Sequence, residues 1–216
     1  MEPNPDVVSS ILDSLRNGSG IKIKSVGGED ILRIEWLNLY NQPEVLRALG
    51  DLFASWVLRL GYKPEAVVSI ETSGAKYGVA TSLSLGVPYV SLHKVDKLIF
   101  DEPISVESRS ITEGRPLKLV GDKSIIGRFS RVVLVDDIRR TSHTIDSAVE
   151  LIEKCGSSVS ACFVVLDFKF AGHPYPKKIR DETFHSLFEV SSVNDSGKCG
   201  VSGGLALKYL EMEKRV

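Results

Sequence analysis

The sequence has few cysteines and no long apolar run, and each shortage excludes a class of protein. Its three cysteines form no C-x-x-C pair, so we expect neither a disulfide framework nor a zinc site. No apolar stretch approaches the roughly 18 residues that a membrane span needs. The opening residues MEPNPDVVSS contain no apolar signal core. We therefore expect a cytoplasmic protein that has no membrane partner.

The chain also lacks an excess of charge of either sign. Lysine and arginine together number 27, aspartate and glutamate number 28, and the formal net charge is -1. Proteins that bind nucleic acid generally carry a basic surface, so this balance predicts no nucleic-acid partner. The length of 216 residues fits one globular domain with a small appendage.

Hydrophobic periodicity predicts an α/β fold. Helical spacing marks residues 5–16, the strand-like runs IKIKSV and ILRIEWLNL lie on either side of GGED, and a helix begins at Pro43. The aliphatic runs AVVSI, YVSLHK, RVVLV and ACFVVLDF then alternate with helical patterns. This alternation is typical of a doubly wound parallel sheet. We predict such a core over residues 43–180 and a helix near the end of the chain.

A long polar segment interrupts the alternation. Residues 97–126 are broken by prolines and glycines and allow at most a hairpin. Connections of this length inside a compact domain are often functional lids. A surface hairpin without chemical importance fits the segment equally well.

The stretch VVLVDDIRRTSHT, residues 132–144, combines carboxylates with a site for anions. Asp136 and Asp137 come where the aliphatic strand ends, and ligands of open parallel sheets collect at that edge. The next helix opens with hydroxyl groups, and the free N–H groups of a helix N-terminus bind phosphate. Arg139 or Arg140 adds positive charge. The hydroxyl donors are Thr141, Ser142 and Thr144.

Carboxylates beside an anion site suit a sugar phosphate. The carboxylates accept hydrogen bonds from vicinal hydroxyls, while the turn binds the phosphate. The alternative is that Asp137 only caps a turn and the hydroxyls only cap a helix. The order of strand, acids and hydroxyls favours the phosphosugar site.

The same stretch resembles the phosphoribosyl pyrophosphate (PRPP) signature of the type I phosphoribosyltransferases. That signature is an aliphatic strand, two acids, two variable residues, a small residue and Thr-Gly-Gly-Thr. The resemblance implies that Asp136 and Asp137 hold the ribose 2- and 3-hydroxyls. Ser142 and His143 replace the glycines, of which the first lets the backbone approach the phosphate closely. The implied ligands of the 5-phosphate are Arg140, Thr141, Ser142, His143 and Thr144.

The resemblance continues upstream, in the loop ETSG that follows AVVSI. This loop is similar to that of the adenine and xanthine enzymes, which implies that Thr72, Ser73 and Gly74 hold pyrophosphate. In this family the loop often contains a cis peptide bond that does not involve proline. Lys94 matches the lysine of a following Arg-Lys pair and is implied as a further pyrophosphate ligand, while His93 stands at the arginine. The alternative is a plain strand-to-helix turn.

The polar segment becomes, by resemblance, the flexible catalytic loop of the family. SRSITEG is similar to the loop motif of the adenine enzymes, which implies that Glu113 lies over the base, with Glu107 in reserve. Arg109 would reach the pyrophosphate of a neighbouring active site. Family members usually form homodimers, so we expect one here.

The resemblance covers roughly residues 48–170, and the two ends of the chain lie outside it. Residues 1–42, with a helix and two strands, would form a small hood over the base. Residues 181–216, with the final helix, would complete that hood. The expected domain organisation is therefore one core with a hood built from both termini.

The acceptor base is inferred from the end of the strand ACFVVLDF. In the 6-oxopurine enzymes this strand ends in an aliphatic-acid-lysine sequence, whose lysine donates to purine O6. Phe168 occupies that position, and Lys169 points to the opposite side if the strand continues. Loss of this donor leaves a buried carbonyl unpaired, so adenine is favoured over hypoxanthine, guanine or xanthine. Ile138 and Phe168 are then the base contacts, although Phe168 or Phe170 could equally be a core aromatic.

The resemblance implies transfer of the phosphoribosyl group from PRPP to adenine, which gives AMP and pyrophosphate. Mg²⁺ would be bound with PRPP and neutralise the leaving group, and no protein ligand for it is assigned. The catalytic candidates are Asp136, Asp137 and Glu113. Two alternatives stay open: an enzyme of the same class for a 6-oxopurine or orotate, and a non-catalytic regulator that binds PRPP.

Overall fold

The computed structural model describes residues 2–26, 29–109 and 116–215. The α-helices in these residues are α1 Pro5–Asn17, α2 Pro43–Arg59, α3 Ala75–Leu85, α4 Lys123–Ile126, α5 His143–Lys154 and α6 Leu205–Glu213. The strands are β1 Ile21–Val26, β2 Glu29–Ile34, β3 Ala66–Ile70, β4 Tyr89–Leu92, β5 Pro103–Arg109, β6 Pro116–Asp122, β7 Arg131–Arg139, β8 Ser158–Phe168, β9 Phe184–Val193 and β10 Cys199–Gly203. None of the described helices is long and apolar enough to cross a membrane.

A six-stranded sheet forms the centre of the molecule, in the order β10-β9-β8-β7-β3-β4. Strands β4, β3, β7, β8 and β9 run parallel, and β10 is antiparallel to β9. Every residue of β3 is buried, as expected for a parallel strand covered on both faces. The predicted α/β fold with a parallel sheet is confirmed.

Two apolar clusters cover the two faces of this sheet. On one face Val133 and Val135 of β7 pack in a cluster with residues of α1, α2, α3 and α6, such as Leu49 and Tyr77. On the other face Leu134 packs in a cluster with α5 and the β5–β6 hairpin. Neighbouring residues of β7 therefore face opposite sides of the sheet.

The N-terminal segment begins with a capped helix and a hairpin. Asn4 accepts a hydrogen bond from the N–H of Asp6 at 3.0 Å and so starts α1. β1 and β2 pair antiparallel, as GGED predicted. The predicted second strand was too long, because Glu35–Leu39 forms a π-helical turn that buries Leu37. This turn brings the backbone of Leu37 to the hydroxyl of Tyr77, which donates to its carbonyl at 2.7 Å.

The long polar segment contains the hairpin that its sequence allowed. β5 pairs antiparallel with β6, and Val106, Leu117 and Leu119 of these strands are buried. His93, just after β4, exchanges backbone hydrogen bonds of 2.8 and 2.7 Å with Val120. The β5–β6 hairpin, which carries the proposed catalytic loop, is therefore packed into the core.

The C-terminal segment corrects our prediction. We assigned residues 181–216 to a hood, but β9 pairs with β8 and β10 pairs with β9, so both strands extend the central sheet. The pattern of this segment is weak because β10 contains two glycines and β9 ends in polar residues. Only α6 follows the sheet, and Leu205, Ala206 and Tyr209 bury it against the α1 side.

Candidate active site

Two helix N-termini and one pair of acids meet at the carboxyl edge of the sheet. β3 leads through residues 71–74 into α3, and the neighbouring β7 leads through residues 140–142 into α5. Each helix directs its free N–H groups and partial positive charge toward this edge. The arrangement therefore offers two places for anions, with Asp136 and Asp137 between them.

The two acids occupy different environments. We had expected the acids to come after the end of the strand. β7 instead continues past them to Arg139, so both acids lie within the strand. Asp136 is 6% exposed and Asp137 is half-buried. The N–H of Asp137 donates to Asp136 Oδ1 at 2.9 Å. Burial raises the pKa of Asp136 well above its ordinary value, and the charge of Asp137 raises it further.

Asp137 has neighbours that the sequence did not reveal. With its amide oriented to satisfy both partners, Asn38 donates to Asp137 Oδ2 at 3.2 Å and to the carbonyl of Leu37 at 3.1 Å. Lys76, in the first turn of α3, has a pKa lowered by burial, and the charge of Asp137 opposes that shift. No local pattern indicates Asn38, whereas the position of Lys76, two residues after ETSG, was a usable signal.

The implied pyrophosphate loop has the expected position between β3 and α3. The peptide bond Glu71–Thr72 is cis, as the resemblance suggested. Thr72 is exposed, Ser73 is half-buried and Gly74 is buried. A Cβ on Gly74 would collide with Asp136 Oδ1 and would lie 3.1 Å from the carbonyl oxygen of Ile70. Glycine is therefore required where this loop contacts the acids.

The basic residues after β4 separate into two roles. His93 Nδ1 lies 2.7 Å from Glu71 Oε2, a close contact without hydrogen-bond alignment. Its Nε2 lies 3.0 Å from Ser91 Oγ. Lys94 is exposed, and its charge acts to lower the pKa of Asp136. Lys94 therefore faces the acids, while His93 supports the start of the loop.

The implied phosphate turn is anchored from behind. Arg139 is 2% exposed, and its Nε donates to Asp167 Oδ1 at 2.5 Å. Because Arg139 is paired with Asp167, it does not add free charge at the phosphate, contrary to one of our two candidates. Arg140, the other candidate, is exposed. Thr141, His143 and Thr144 are half-buried at the start of α5.

Ser142 occupies the N-cap position of α5 in an ordinary backbone conformation. Its φ of -89° and ψ of -1° are open to any residue, so glycine is not required here for conformational reasons. Its Oγ donates to the carbonyl of Pro174 at 2.6 Å. The side chain therefore contacts the segment between β8 and β9.

The aromatic residues at the end of β8 differ in exposure. Phe168 is 4% exposed and belongs to the core, whereas Phe170 is 45% exposed with its ring centroid 5.2 Å from that of Phe168. Phe168 is therefore a core aromatic, which was the alternative to a base contact. Its ring does not reach the surface of the site. Ile138 is half-buried at the rim of the same cluster. Lys169 Nζ lies 2.9 Å from Glu189 Oε2.

The candidates on the proposed catalytic loop are only partly described. Glu107 is exposed on β5, opposite Lys118 of β6. Arg109 is the last residue of β5. Glu113 lies outside the described residues.

Comparisons with known proteins identify the family of this chain. A family model described as "Phosphoribosyl transferase domain" matches residues 35–194. A xanthine phosphoribosyltransferase of Bacillus licheniformis is 28% identical over 148 residues, 68% of this chain and 75% of that protein. An adenine phosphoribosyltransferase of Carboxydothermus hydrogenoformans is 34% identical over 129 residues, 60% of this chain and 73% of that protein.

Solved structures show the same fold. An adenine phosphoribosyltransferase from Leishmania tarentolae matches with a TM-score of 0.68 at 20% identity, over 88% of this chain and 91% of that one. Another from Thermoanaerobacter pseudethanolicus matches with a TM-score of 0.66 at 22% identity, over 82% of this chain and 99% of that one. At these identities the likeness concerns the fold.

Proposed function

Since this chain belongs to the phosphoribosyl transferase family and is a pentosyltransferase of the purine-salvage type, we propose that it transfers the phosphoribosyl group of PRPP to adenine. The products are AMP and pyrophosphate. The observation that carries this proposal is the pair Asp136–Asp137 between the N-termini of α3 and α5. That arrangement matches a ligand with vicinal hydroxyls and phosphates on either side of them.

We assign the ribose hydroxyls chiefly to Asp137. Its carboxylate is half-buried and accessible, whereas Asp136 is nearly enclosed and accepts the N–H of Asp137. Asp136 would then fix the backbone of its neighbour and contact Gly74. The negative charge of Asp137 would also stabilise a developing oxocarbenium-like centre at C1. Asp137→Asn should lower the turnover number by about 100-fold, in the range found when one stabilising group of a transition state is removed.

The phosphate groups would bind at the two helix N-termini. The 5-phosphate is assigned to the start of α5, with Arg140, Thr141, His143 and Thr144 around it. The pyrophosphate is assigned to the start of α3, with ligands Thr72, Ser73, Gly74 and Lys94. Arg109 and Glu113 stay predictions of the same scheme, and closure of their loop would exclude water from PRPP.

The residues present fit a magnesium ion that is carried by the substrate. The half-buried Asp137 offers a carboxylate oxygen of the kind that Mg²⁺ takes together with substrate phosphates. Among residues 2–26, 29–109 and 116–215, no group of three histidine, cysteine or acidic side chains could hold a metal. The ion, when bound with PRPP, would supply neutralisation of the pyrophosphate charge.

Adenine as the acceptor is supported by the end of β8. Lys169 forms an ion pair with Glu189, and its Nζ also lies 5.7 Å from the ring centroid of Tyr175, so its ammonium group already has partners in the protein. A 6-oxopurine would lack the lysine donor that its O6 requires. The base would instead contact Ile138 and the exposed ring of Phe170.

The experiment is a parallel assay of pyrophosphate release from PRPP and Mg²⁺ with adenine, hypoxanthine, guanine, xanthine, uracil and orotate. Turnover with adenine alone supports the proposal. Turnover with xanthine would support the second candidate, which is favoured by the xanthine phosphoribosyltransferase relative. Absence of turnover with every base, while PRPP raises the melting temperature, would favour the regulator.

We also propose that the protein forms a homodimer. Val79 and Leu83, one helical turn apart on α3, are 41% and 75% exposed, so two aliphatic side chains share an accessible face of this helix. Sedimentation of the wild-type protein tests whether a dimer forms. Sedimentation of Leu83→Glu tests whether this face of α3 forms the dimer contact. A monomer at micromolar concentration would contradict the proposal.

A further inference from the structure

The segment between β8 and β9 is attached to the candidate phosphate turn by buried groups of that turn. We define the β8–β9 segment as residues 172–180. Arg139 Nη1 donates to the carbonyls of His173 and Pro174 at 3.2 and 3.3 Å. Ser142 Oγ donates to the same carbonyl of Pro174 at 2.6 Å. The guanidinium carbon of Arg139 lies 4.9 Å from the ring centroid of Tyr175.

These contacts act on the main chain of the segment more than on its side chains. The side chains of His173 and Pro174 are exposed, whereas the ring of Tyr175 is 37% exposed and packs beside Phe184 with a centroid distance of 5.4 Å. The carbonyls of His173 and Pro174 instead turn toward a guanidinium group whose charge is balanced by Asp167. A charged donor holds a carbonyl about twice as strongly as a neutral one.

The hydroxyl of Ser142 cannot serve this segment and a phosphate at the same time. A serine hydroxyl has one proton to donate, and a phosphate dianion has only acceptors to offer. In this structure the proton is directed to Pro174 at 2.6 Å. The phosphate would then be bound by the N–H groups of α5 and by the other residues of the turn.

The β8–β9 segment follows directly from the residues nearest to the proposed base site. Lys169 and Phe170 form a short 3-10 turn at the end of β8, which leads into residue 172. β8 pairs with β7 next to them, with Ile138 opposite Leu166. A segment held at 173 and 174 therefore limits the positions that the ring of Phe170 can take.

We propose that Arg139 and Ser142 are positioning residues that hold the β8–β9 segment, and with it Phe170, against the bound purine. Ser142 thereby affects the base and not the 5-phosphate, although it lies in the phosphate turn. This inference rests on the proposed function, because it assumes that a purine occupies the site beside Ile138.

The first test separates the two substrates kinetically. Ser142→Ala should raise the KM for the base about fivefold, the worth of one hydrogen bond of about 1 kcal/mol, and leave the KM for PRPP within about twofold. A rise in the KM for PRPP with an unchanged KM for the base would overturn the proposal. Ser157→Ala is the matched control, since Ser157 Oγ also donates to a distant carbonyl, that of Ile126, at 2.8 Å.

A second variant acts on the other side of the contact. Tyr175→Leu removes the ring over Arg139 while every residue of the phosphate turn stays unchanged, and it should also raise the KM for the base by about twofold to fivefold. Tyr175→Phe keeps the ring face and should restore the wild-type value. If Leu and Phe behave alike, the ring is not part of the attachment and the proposal loses that support.

The third measurement does not depend on catalysis. Trypsin sites at Lys177, Lys178 and Arg180 are exposed in the segment, so cleavage there should be about five times faster in Ser142→Ala and unchanged in Ser157→Ala. Equal cleavage rates in all three proteins would overturn the proposal. If the wild-type protein uses no purine, the proposed function fails. The cleavage rates and the PRPP-induced rise in melting temperature then still decide whether Ser142 acts on the segment or on phosphate.

Discussion

The two turns on either side of Asp136 and Asp137 are supported in different ways. Behind the phosphate turn, residues 139–144, the side chains of Arg139 and Asp167 are 2% and 1% exposed. Behind the pyrophosphate loop, residues 71–74, the side chains of His93 and Glu71 are 11% and 37% exposed, and Lys97 lies 3.9 Å from the same carboxylate. One support is a buried ion pair, whereas the other includes the carboxylate of Glu71 and the ammonium group of Lys97, which are both partly open to water.

This difference has a physical consequence for how each turn responds to change. Removal of one partner from a buried pair leaves an uncompensated charge, which is costly. Charges near the surface are screened by water, and their loss costs little. The phosphate turn should therefore be fixed by the fold. The pyrophosphate loop, whose supports also contact the β5–β6 hairpin, should be the easier of the two to alter.

The largest effect is expected when the buried ion pair of Arg139 and Asp167 is broken. Arg139→Met should lower the free energy of unfolding by about 3–5 kcal/mol, because Asp167 keeps its buried position without a counter-charge. Urea titration with a circular dichroism signal measures it. The double variant Arg139→Met/Asp167→Leu removes both charges and should recover much of the loss. A cost below 1 kcal/mol for the single variant would end the distinction between the two turns.

A second prediction concerns the point where the two regions touch. Gly74→Ala should destabilise the protein by about 1–3 kcal/mol through overpacking, because the new methyl group meets Asp136 and the carbonyl of Ile70. It should also reduce turnover, because the acid must move. Gly86→Ala is not a suitable control because its φ is 70°. Ala80→Gly on the same helix reports the ordinary cost of a helix substitution.

A third prediction uses pH to test the burial of Asp136. Its pKa is raised in the folded protein, so the folded chain keeps a proton that the unfolded chain loses. Stability should therefore fall as pH rises from the ordinary carboxyl pKa through the raised value. Asp136→Asn should abolish that fall.

Asp122 supplies the opposite control for that measurement. Hydrogen bonds led by that of Ser124 lower the pKa of Asp122, so its contribution is present above the ordinary carboxyl pKa. It is lost as pH falls through the lowered value. Asp122→Asn should weaken the acid-side loss of stability and leave the Asp136 effect intact. Identical pH profiles for the wild-type protein and Asp136→Asn would mean that Asp136 is better solvated than its burial indicates.

The smallest expected effect concerns the open support. Glu71→Gln should cost less than about 1 kcal/mol of unfolding free energy, since this carboxylate is partly exposed. The same urea titration as for Arg139→Met gives a direct comparison. If Glu71→Gln costs as much as Arg139→Met, both turns are equally fixed and the comparison fails.

Local sequence patterns identified most of the fold and part of the site. The strands β3, β4, β7 and β8 and the helices α2, α3 and α5 follow from runs of aliphatic residues and from helical spacing, which depend on neighbours in the chain. The acids and the start of α5 were likewise found together, because one stretch contains them. β9 and β10 were missed, since their polar and glycine-rich residues give no clear alternation.

The sequence by itself determined four strands of the central sheet, β3, β4, β7 and β8, where its carboxyl edge places two acids, and that anions can bind beside them. Those properties come from covalent order and from periodicities of two and about 3.6 residues. Only the tertiary structure decided that Arg139 pairs with Asp167, that Ser142 holds Pro174 and that Asn38 reaches Asp137. Such pairings depend on strand register and on the path of distant segments. These in turn are fixed by the packing of the whole core, which no local pattern contains.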